Sequence, residues 1–252
     1  MGPANLETAG AISAIGVHYA ARRDYAKAEA SLRRSLAIEE KASGSANPSM
    51  GITLKNLADI FNLTERTAAA ESYYGRAIDI FEKNYGPEHL IVANALESWS
   101  ELLAKQKRFG QQRRVLQRAI AIREKALGES DITVARDLNV IAYAQWHEKR
   151  YDEAEETLRK ALGILEKSSS PEHPDKANSF RILALTESSR GRYGEAEPLL
   201  KRSIDISAAA LGANSSELAP ELSNYAALLR KLSRKSEASQ VEMRLRAISG
   251  KK

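Results

Sequence analysis

The chain has 252 residues, 43% of them hydrophobic and 28% charged, so it can bury a sizeable core and lies outside disordered compositions. It contains no cysteine, which removes disulfide frameworks, thiolate nucleophiles, iron–sulfur clusters and cysteine-based zinc sites, and no apolar run approaches the ~18 residues of a membrane helix. Lys and Arg number 38 against 33 Asp and Glu; this net charge of +5, with both signs mixed along the chain, falls short of a nucleic-acid binder's concentrated charge.

The segment Met1–Leu6 has no basic stretch leading into an apolar one, so no secretory signal is visible and a cytoplasmic location is expected. The length is also six times 42, and residues 42 apart agree. Ile38, Ile80, Ile122, Ile164, Ile206 and Ile248 form one column. Gly16, Ala58, Ser100, Ala142, Ala184 and Ala226 form a column of small residues. Ala28, Ala70, Ala154, Ala196 and Ala238 share another, which Gln112 interrupts. A turn column holds Tyr25, Thr67, Phe109, Tyr151, Tyr193 and Lys235, and a further one reads Gly44, Gly86, Gly128, Ser170 and Gly212.

In chain order the windows are about 9–50, 51–92, 93–134, 135–176, 177–218 and 219–252. The first opens with Ala9–Ala21, in which only Ser13, His18 and the Tyr19 hydroxyl are polar. The second shows the helical spacing most clearly: Leu54, Leu57, Ala58 and Phe61, then after a break Ala70, Tyr74, Ala77 and Ile78. Each window therefore reads as two amphipathic helices. The short polar break between them, such as Glu148-Lys149-Arg150 in the fourth, makes them antiparallel. The longer break after the second helix carries the Gly column, which suits a left-handed helix cap, and often Pro, as in Pro87-Glu88-His89 and Pro171-Glu172-His173-Pro174. The sixth window ends in a polar helix carrying Glu237, Gln240, Glu242, Arg244 and Arg246. No stretch alternates with period two. The expected fold is all-α, one domain over 1–252 built as a right-handed superhelical solenoid of six stacked antiparallel helix hairpins.

The alternation of large and small residues resembles the tetratricopeptide repeat, and the 42-residue period with its longer second helix resembles the kinesin-light-chain subtype. Leu54-Lys55-Asn56-Leu57-Ala58, Ala154-Glu155 and Arg118 through Gly128 carry the likeness, which extends from about Ala9 to Ile248. It implies a helical scaffold or adaptor that binds protein.

Repeat columns explain most residues, so a chemical site must show in departures from them. His89 and His173 share one loop column, which points to capping of the preceding helix. His18 and His147 have no second ligand at helical spacing, so no metal site is expected. Glu155 and Glu156 face Arg159 and Lys160 one turn on, a pattern of surface ion pairing. There is no Gly-rich phosphate loop and no nucleophile–base pair. The chain is expected to be no enzyme and to need no cofactor. Basic clusters such as Arg33-Arg34 and Arg113-Arg114 are offset by acidic neighbours, and no base-reading pair recurs in every window, so an RNA-binding role ranks last.

Stacked hairpins offer an extended concave surface lined by the first helix of each repeat. The likeness implies that peptides bind there in extended form. The expected groove residues are Lys55, Asn56, Asp59, Asn62, Glu97, Glu101, Arg136, Asn139, Tyr143, Trp146, Arg181, Asn224 and Arg230. Of these, Tyr143 and Trp146 are candidate anchors, and the charges suggest an acidic N-terminal end and a basic C-terminal end. The leading functional reading is a protein or peptide ligand in this groove. The alternative is self-assembly through the first helix, where Ile12, Ile15, Gly16 and Tyr19 serve its own hairpin and Gly10, Ala14, Val17 and Ala21 form a second stripe that could face another copy.

Overall fold

The computed structural model describes residues 5–43, 47–168, 170–171 and 173–250. Gly44 and Glu172, named above, lie outside them. Among the described residues every regular element is helical: α1 (Leu6–Ala21), α2 (Tyr25–Ser43), α3 (Pro48–Leu63), α4 (Thr67–Tyr85), α5 (Leu90–Lys105), α6 (Phe109–Leu127), α7 (Ile132–His147), α8 (Tyr151–Ser168), α9 (Pro174–Ser189), α10 (Tyr193–Leu211), α11 (Ala219–Lys231) and α12 (Lys235–Ser249), with one 3₁₀ turn at Ser216–Leu218 before α11. Consecutive helices form antiparallel hairpins. Most begin about three residues ahead of the windows read from sequence, because a helix starts at its cap and not at its first apolar residue.

Two columns punctuate these hairpins. The first is Asn5, Asn47, His89, Asp131, His173 and Ser215, six residues at a strict 42-residue interval, each accepting a hydrogen bond through its side chain from a backbone N–H two or three residues on. Such a cap satisfies one of the orphan donors of a helix start and contributes about 1 kcal/mol. His89 Nδ1 accepts from Ile91 N and His173 Nδ1 from Asp175 N, each at 3.2 Å. These histidines cap the helix that follows, correcting the expectation that they cap the one before. The second column is the turn inside each hairpin, where Arg23, Glu65, Lys107, Lys149, Gly191 and Ser233 all have φ between 57° and 78°. Left-handed backbone there reverses the chain in three residues, and five hairpins accept its cost on a residue with a side chain. At the outer breaks Gly86 and Gly212 also have positive φ, 88° and 90°, but ψ of 157° and 144°. That conformation is extended, open essentially to glycine alone, and differs from the expected left-handed helical cap.

The chain divides into two compact units, Met1–Ala126 and Leu127–Lys252. In the N-terminal unit Leu32 and Leu36 of α2, Leu54, Leu57 and Phe61 of α3, Tyr74 and Phe81 of α4 and Leu96 and Leu102 of α5 form one core. The small columns do their expected work: Ala58, Ala70 and Ala77 are fully buried where helices cross. In the C-terminal unit Ala142, Leu158 and Ile182 form one cluster, Ala184, Leu200 and Leu228 a second, and Ile204, Leu222 and Ile248 a third.

Ion pairs stitch successive hairpins within each unit. Arg66 holds Glu29 at 2.5 Å and Arg108 holds Glu71 at 2.6 Å; Arg190 holds Glu155 at 2.5 Å and Arg234 holds Glu197 at 2.7 Å. Glu155 also pairs with Arg159, as its spacing suggested. The Arg66 and Arg190 contacts hold the Glu29 and Glu155 carboxyls below the usual carboxylate range, and Lys201, followed by Arg234, does the same for Glu197.

Candidate functional site

In each unit the first helices of the hairpins lie side by side and share one face: α1, α3 and α5 in the N-terminal unit, α7, α9 and α11 in the C-terminal unit. Between α1 and α3 lies a depression of about 260 Å³ lined by Gly10, Ser13, Ala14, Val17, Ile52 and Asn56. Gly10, Ala14 and Val17, expected at a contact with another copy, therefore line this shared face. Ala21, one turn further along the stripe, is exposed. Ile15, expected to serve its own hairpin, is 51% exposed, a correction taken up below.

Further along this face Lys55 pairs with Asp59 at 2.8 Å, and Asp59 accepts a 2.6 Å hydrogen bond from the Tyr74 hydroxyl. Burial, with the Asp59 charge beside it, pushes the Tyr74 phenol above its usual range. Arg123, itself buried, holds Glu97 and also bonds Asn94. Burial, then the neighbouring Glu97 and Asp59, holds the Glu101 carboxyl above its usual range. Asp59, Glu97 and Glu101 thus sit among Lys55, Lys105 and Arg123, as many cations as anions. Asn62 is 5% exposed, and the Lys105 ammonium covers its backbone carbonyl at 3.3 Å. Its side chain lies under the surface and not on it, a correction to the groove residues expected above.

The C-terminal unit presents a different surface. The Tyr143 and Trp146 rings stack with centroids 5.6 Å apart, and His147 sets its edge against both. Trp146 Nε1 donates to the Leu185 carbonyl at 3.2 Å and to Ser189 Oγ at 2.9 Å, which fixes the indole across α7 and α9. The Arg181 guanidinium lies 5.8 Å from the Tyr143 centroid and donates to Asn178 Oδ1 at 2.6 Å. Beside this ledge a depression of about 290 Å³ opens between α9 and α11, lined by Leu185, Ser188, Ser189, Asn224, Ala227 and Lys231 among others.

Arg136, Arg181 and Arg230, expected to make this end basic, are joined here by Lys231. Arg136 pairs with Asp175 at 3.4 Å, and Arg230 grips Glu242 of α12 through two 2.8 Å hydrogen bonds. Arg181 and Lys231 form no ion pair among the described residues. Asn139 is fully buried: its Nδ2 donates to the Asp175 carbonyl at 3.0 Å and its Oδ1 accepts from the Ser179 hydroxyl at 2.7 Å. It ties α7 to α9 and has no free edge for a ligand, a second correction. Column arithmetic carries the signal: Asn224 lies four repeats after Asn56, whereas Asn139 falls one residue short of two, about 100° around its helix.

No group of three His, Asp or Glu side chains among the described residues could hold a metal ion, and none of the described helices is long and apolar enough to cross a membrane. A family model described as the tetratricopeptide repeat matches residues 7–83, 92–167 and 133–209. Comparison with curated protein sequences returns no match. Similar solved structures include a kinesin-light-chain-like protein of nearly identical tetratricopeptide-like repeats from Podosopora anserina, at TM-score 0.66 and 21% identity, covering 81% of this chain and 96% of that one. BtubC (BKLC) from P. vanneervenii has a TM-score of 0.71 and 21% identity, with 82% of each chain covered. PilF of Pseudomonas aeruginosa has a TM-score of 0.64 and 19% identity over 98% of this chain and 94% of its own.

Proposed function

The chain belongs to the tetratricopeptide repeat family, and from that premise we propose that it is a non-catalytic protein-interaction module whose C-terminal unit takes an extended acidic segment of a partner protein. The segment lies across α7, α9 and α11. The observation that carries this reading is the pair of uncompensated cations, Arg181 and Lys231, on either side of an aromatic ledge and an apolar depression. A cation already paired gains little from a partner's carboxylate, because it must give up the carboxylate it has. Lys231 gives up only water, and Arg181 at most its contacts with two neutral groups, the Asn178 amide and the Tyr143 ring. Electrostatic complementarity of this kind sets orientation and on-rate, while Tyr143 and the Leu185–Ala227 depression offer contact area. The corresponding face of the N-terminal unit, where charges balance locally, has no such preference.

The test is selection of short peptides from a random library on the immobilised chain, repeated with the double variant Arg181→Glu, Lys231→Glu. Wild type enriches carboxylate-rich peptides, binding weakens as salt is raised, and the double variant loses about tenfold or more in affinity, equivalent to ~1.4 kcal/mol. Enrichment of basic or uncharged peptides, or equal binding by the variant, refutes the reading. Self-assembly, the second functional possibility, rests on a different surface, the open side of α1.

A further inference from the structure

Within each unit, each later hairpin docks on the one before it through one stripe of its first helix. In α3 this stripe contains Thr53, Leu57 and Ile60, and in α11 Glu221 and Leu228, all at most 8% exposed. In α5 its counterparts Ala95 and Leu102, and in α9 Ser179 and Thr186, are likewise buried. The equivalent residues of α1 are Ala11, Ile15 and His18, and all three are exposed, Ile15 to 51%. At ~100° per residue Glu7, Ala11, Ile15, His18 and Arg22 fall within an arc of about 80°, next to the stripe that lines the depression with Ile52. The docking face of the first hairpin is thus intact in composition at its centre and uncovered among the described residues.

Charge decides what fits on it. Glu7 and Arg22 stand at opposite ends of the stripe, both exposed, and neither forms an ion pair among the described residues. Two such helices laid parallel would set Glu7 on Glu7 and Arg22 on Arg22. Laid antiparallel about a two-fold axis between positions 14 and 15, they set each Glu7 against the other copy's Arg22, Ala11 against His18, and Ile15 beside Ile15. The small Ala11 lets the backbones approach. A head-to-tail stack would instead need the outer side of α12, which carries Glu237, Gln240 and the Arg230–Glu242 pair and would have to be desolvated. We infer that the chain forms a two-fold homodimer in which the α1 helices of two copies pack antiparallel through Ile15, with reciprocal Glu7–Arg22 pairs at both ends. This contact is isologous and closes at two copies. It shares no residue with the peptide surface proposed above, so either reading can fail alone.

Sedimentation velocity of the full chain over a concentration series tests the proposal. Wild type shows a monomer–dimer equilibrium. Ile15→Glu is monomeric with an unchanged helical circular-dichroism signal. Glu7→Arg and Arg22→Glu each raise the dissociation constant about tenfold, and the double variant Glu7→Arg, Arg22→Glu recovers most of that loss. The charge variants keep the test decisive should Ile15→Glu fold poorly, since both positions are exposed. A wild-type chain that stays monomeric to about 1 mM overturns the inference, as does unlimited growth of species with concentration. A double variant no better than the singles overturns it too, because the pairs would then not be reciprocal.

Discussion

Trp146 and Tyr143 look interchangeable in sequence as exposed aromatic anchors, but the structure separates them in a way that stability measurements can read. The Trp146 indole is half-buried and its N–H is committed to Leu185 and Ser189 on the neighbouring helix. Removing it in Trp146→Ala withdraws roughly 100 Å² of apolar burial, ~2.5 kcal/mol at ~25 cal/mol per Å², and a hydrogen bond of about 1 kcal/mol, so the cost is about 3.5 kcal/mol. Trp146→Phe keeps the stack on Tyr143 and loses only the N–H, costing about 1 kcal/mol. Tyr143 is more exposed and its hydroxyl makes no hydrogen bond among the described residues, so Tyr143→Ala costs about 1 kcal/mol or less and acts instead on ligand binding. Urea unfolding followed by circular dichroism gives all three values. If Trp146→Phe matches wild type within ~0.3 kcal/mol, or Tyr143→Ala is the more damaging of the two alanine changes, the tie between α7 and α9 does not hold the indole as described.

Two further outcomes test the backbone and the charges. Gly191 is the one glycine in the left-handed turn column, at φ 78°, with no atom near enough to clash with an added Cβ; Gly191→Ala should therefore cost only the backbone penalty, about 1 kcal/mol, in the same unfolding assay. The carboxylates divide by sign. Glu155, held low chiefly by its hydrogen bond from Arg190, stabilises the fold above the unfolded carboxylate range and loses that contribution as pH falls through its depressed folded value. Burial raises the Glu39 carboxyl, so it opposes folding at neutral pH and ceases to do so in acid. Glu155→Gln should be less stable than wild type at neutral pH and Glu39→Gln more stable; in acid the Glu39 difference vanishes once pH is below the ordinary carboxylate value, and the Glu155 difference only at lower pH, below its depressed folded value.

Much of the fold was legible because six repeats average out local ambiguity. The Ile38–Ile248 column and the small Ala58 and Ala70 positions mark helix and crossing before any contact is known, and the residues from 248 back to 80 are indeed buried at every repeat. What escaped was chemistry that a column holds under changing residue types. Asn5, Asn47, His89, Asp131, His173 and Ser215 look unrelated by composition, yet all can accept a hydrogen bond from a helix start, and acceptor capacity is the conserved quantity along the column. The turn column hides in the same way, since Arg23, Glu65, Lys107, Lys149 and Ser233 share a backbone conformation and no side-chain property. The stripe on α1 was misread by one arc: Ile15 matches Leu57 by column, and Leu57 serves the contact with the preceding hairpin, a contact that α1 lacks among the described residues.

The candidate site was less legible than the fold for a reason that Arg136, Arg181 and Arg230 make plain. All three stand on first helices of the C-terminal unit, and sequence alone assigns them one role. In the structure one meets Asp175, at a separation of 39 residues; another meets Glu242, at 12; the third meets a tyrosine ring and an asparagine amide. Whether a cation is available to a ligand depends on that second residue, and the separation to it is set by which helices touch, not by the repeat alone. Charge read down a column therefore overstates what a surface can bind. The available charge is what remains after each cation has been matched with the nearest carboxylate, and of Arg136, Arg181, Arg230 and Lys231 on this face that remainder is Arg181 and Lys231, which is why a paired charge reversal at those two positions, and not at Arg136 or Arg230, is the perturbation that the peptide surface should feel.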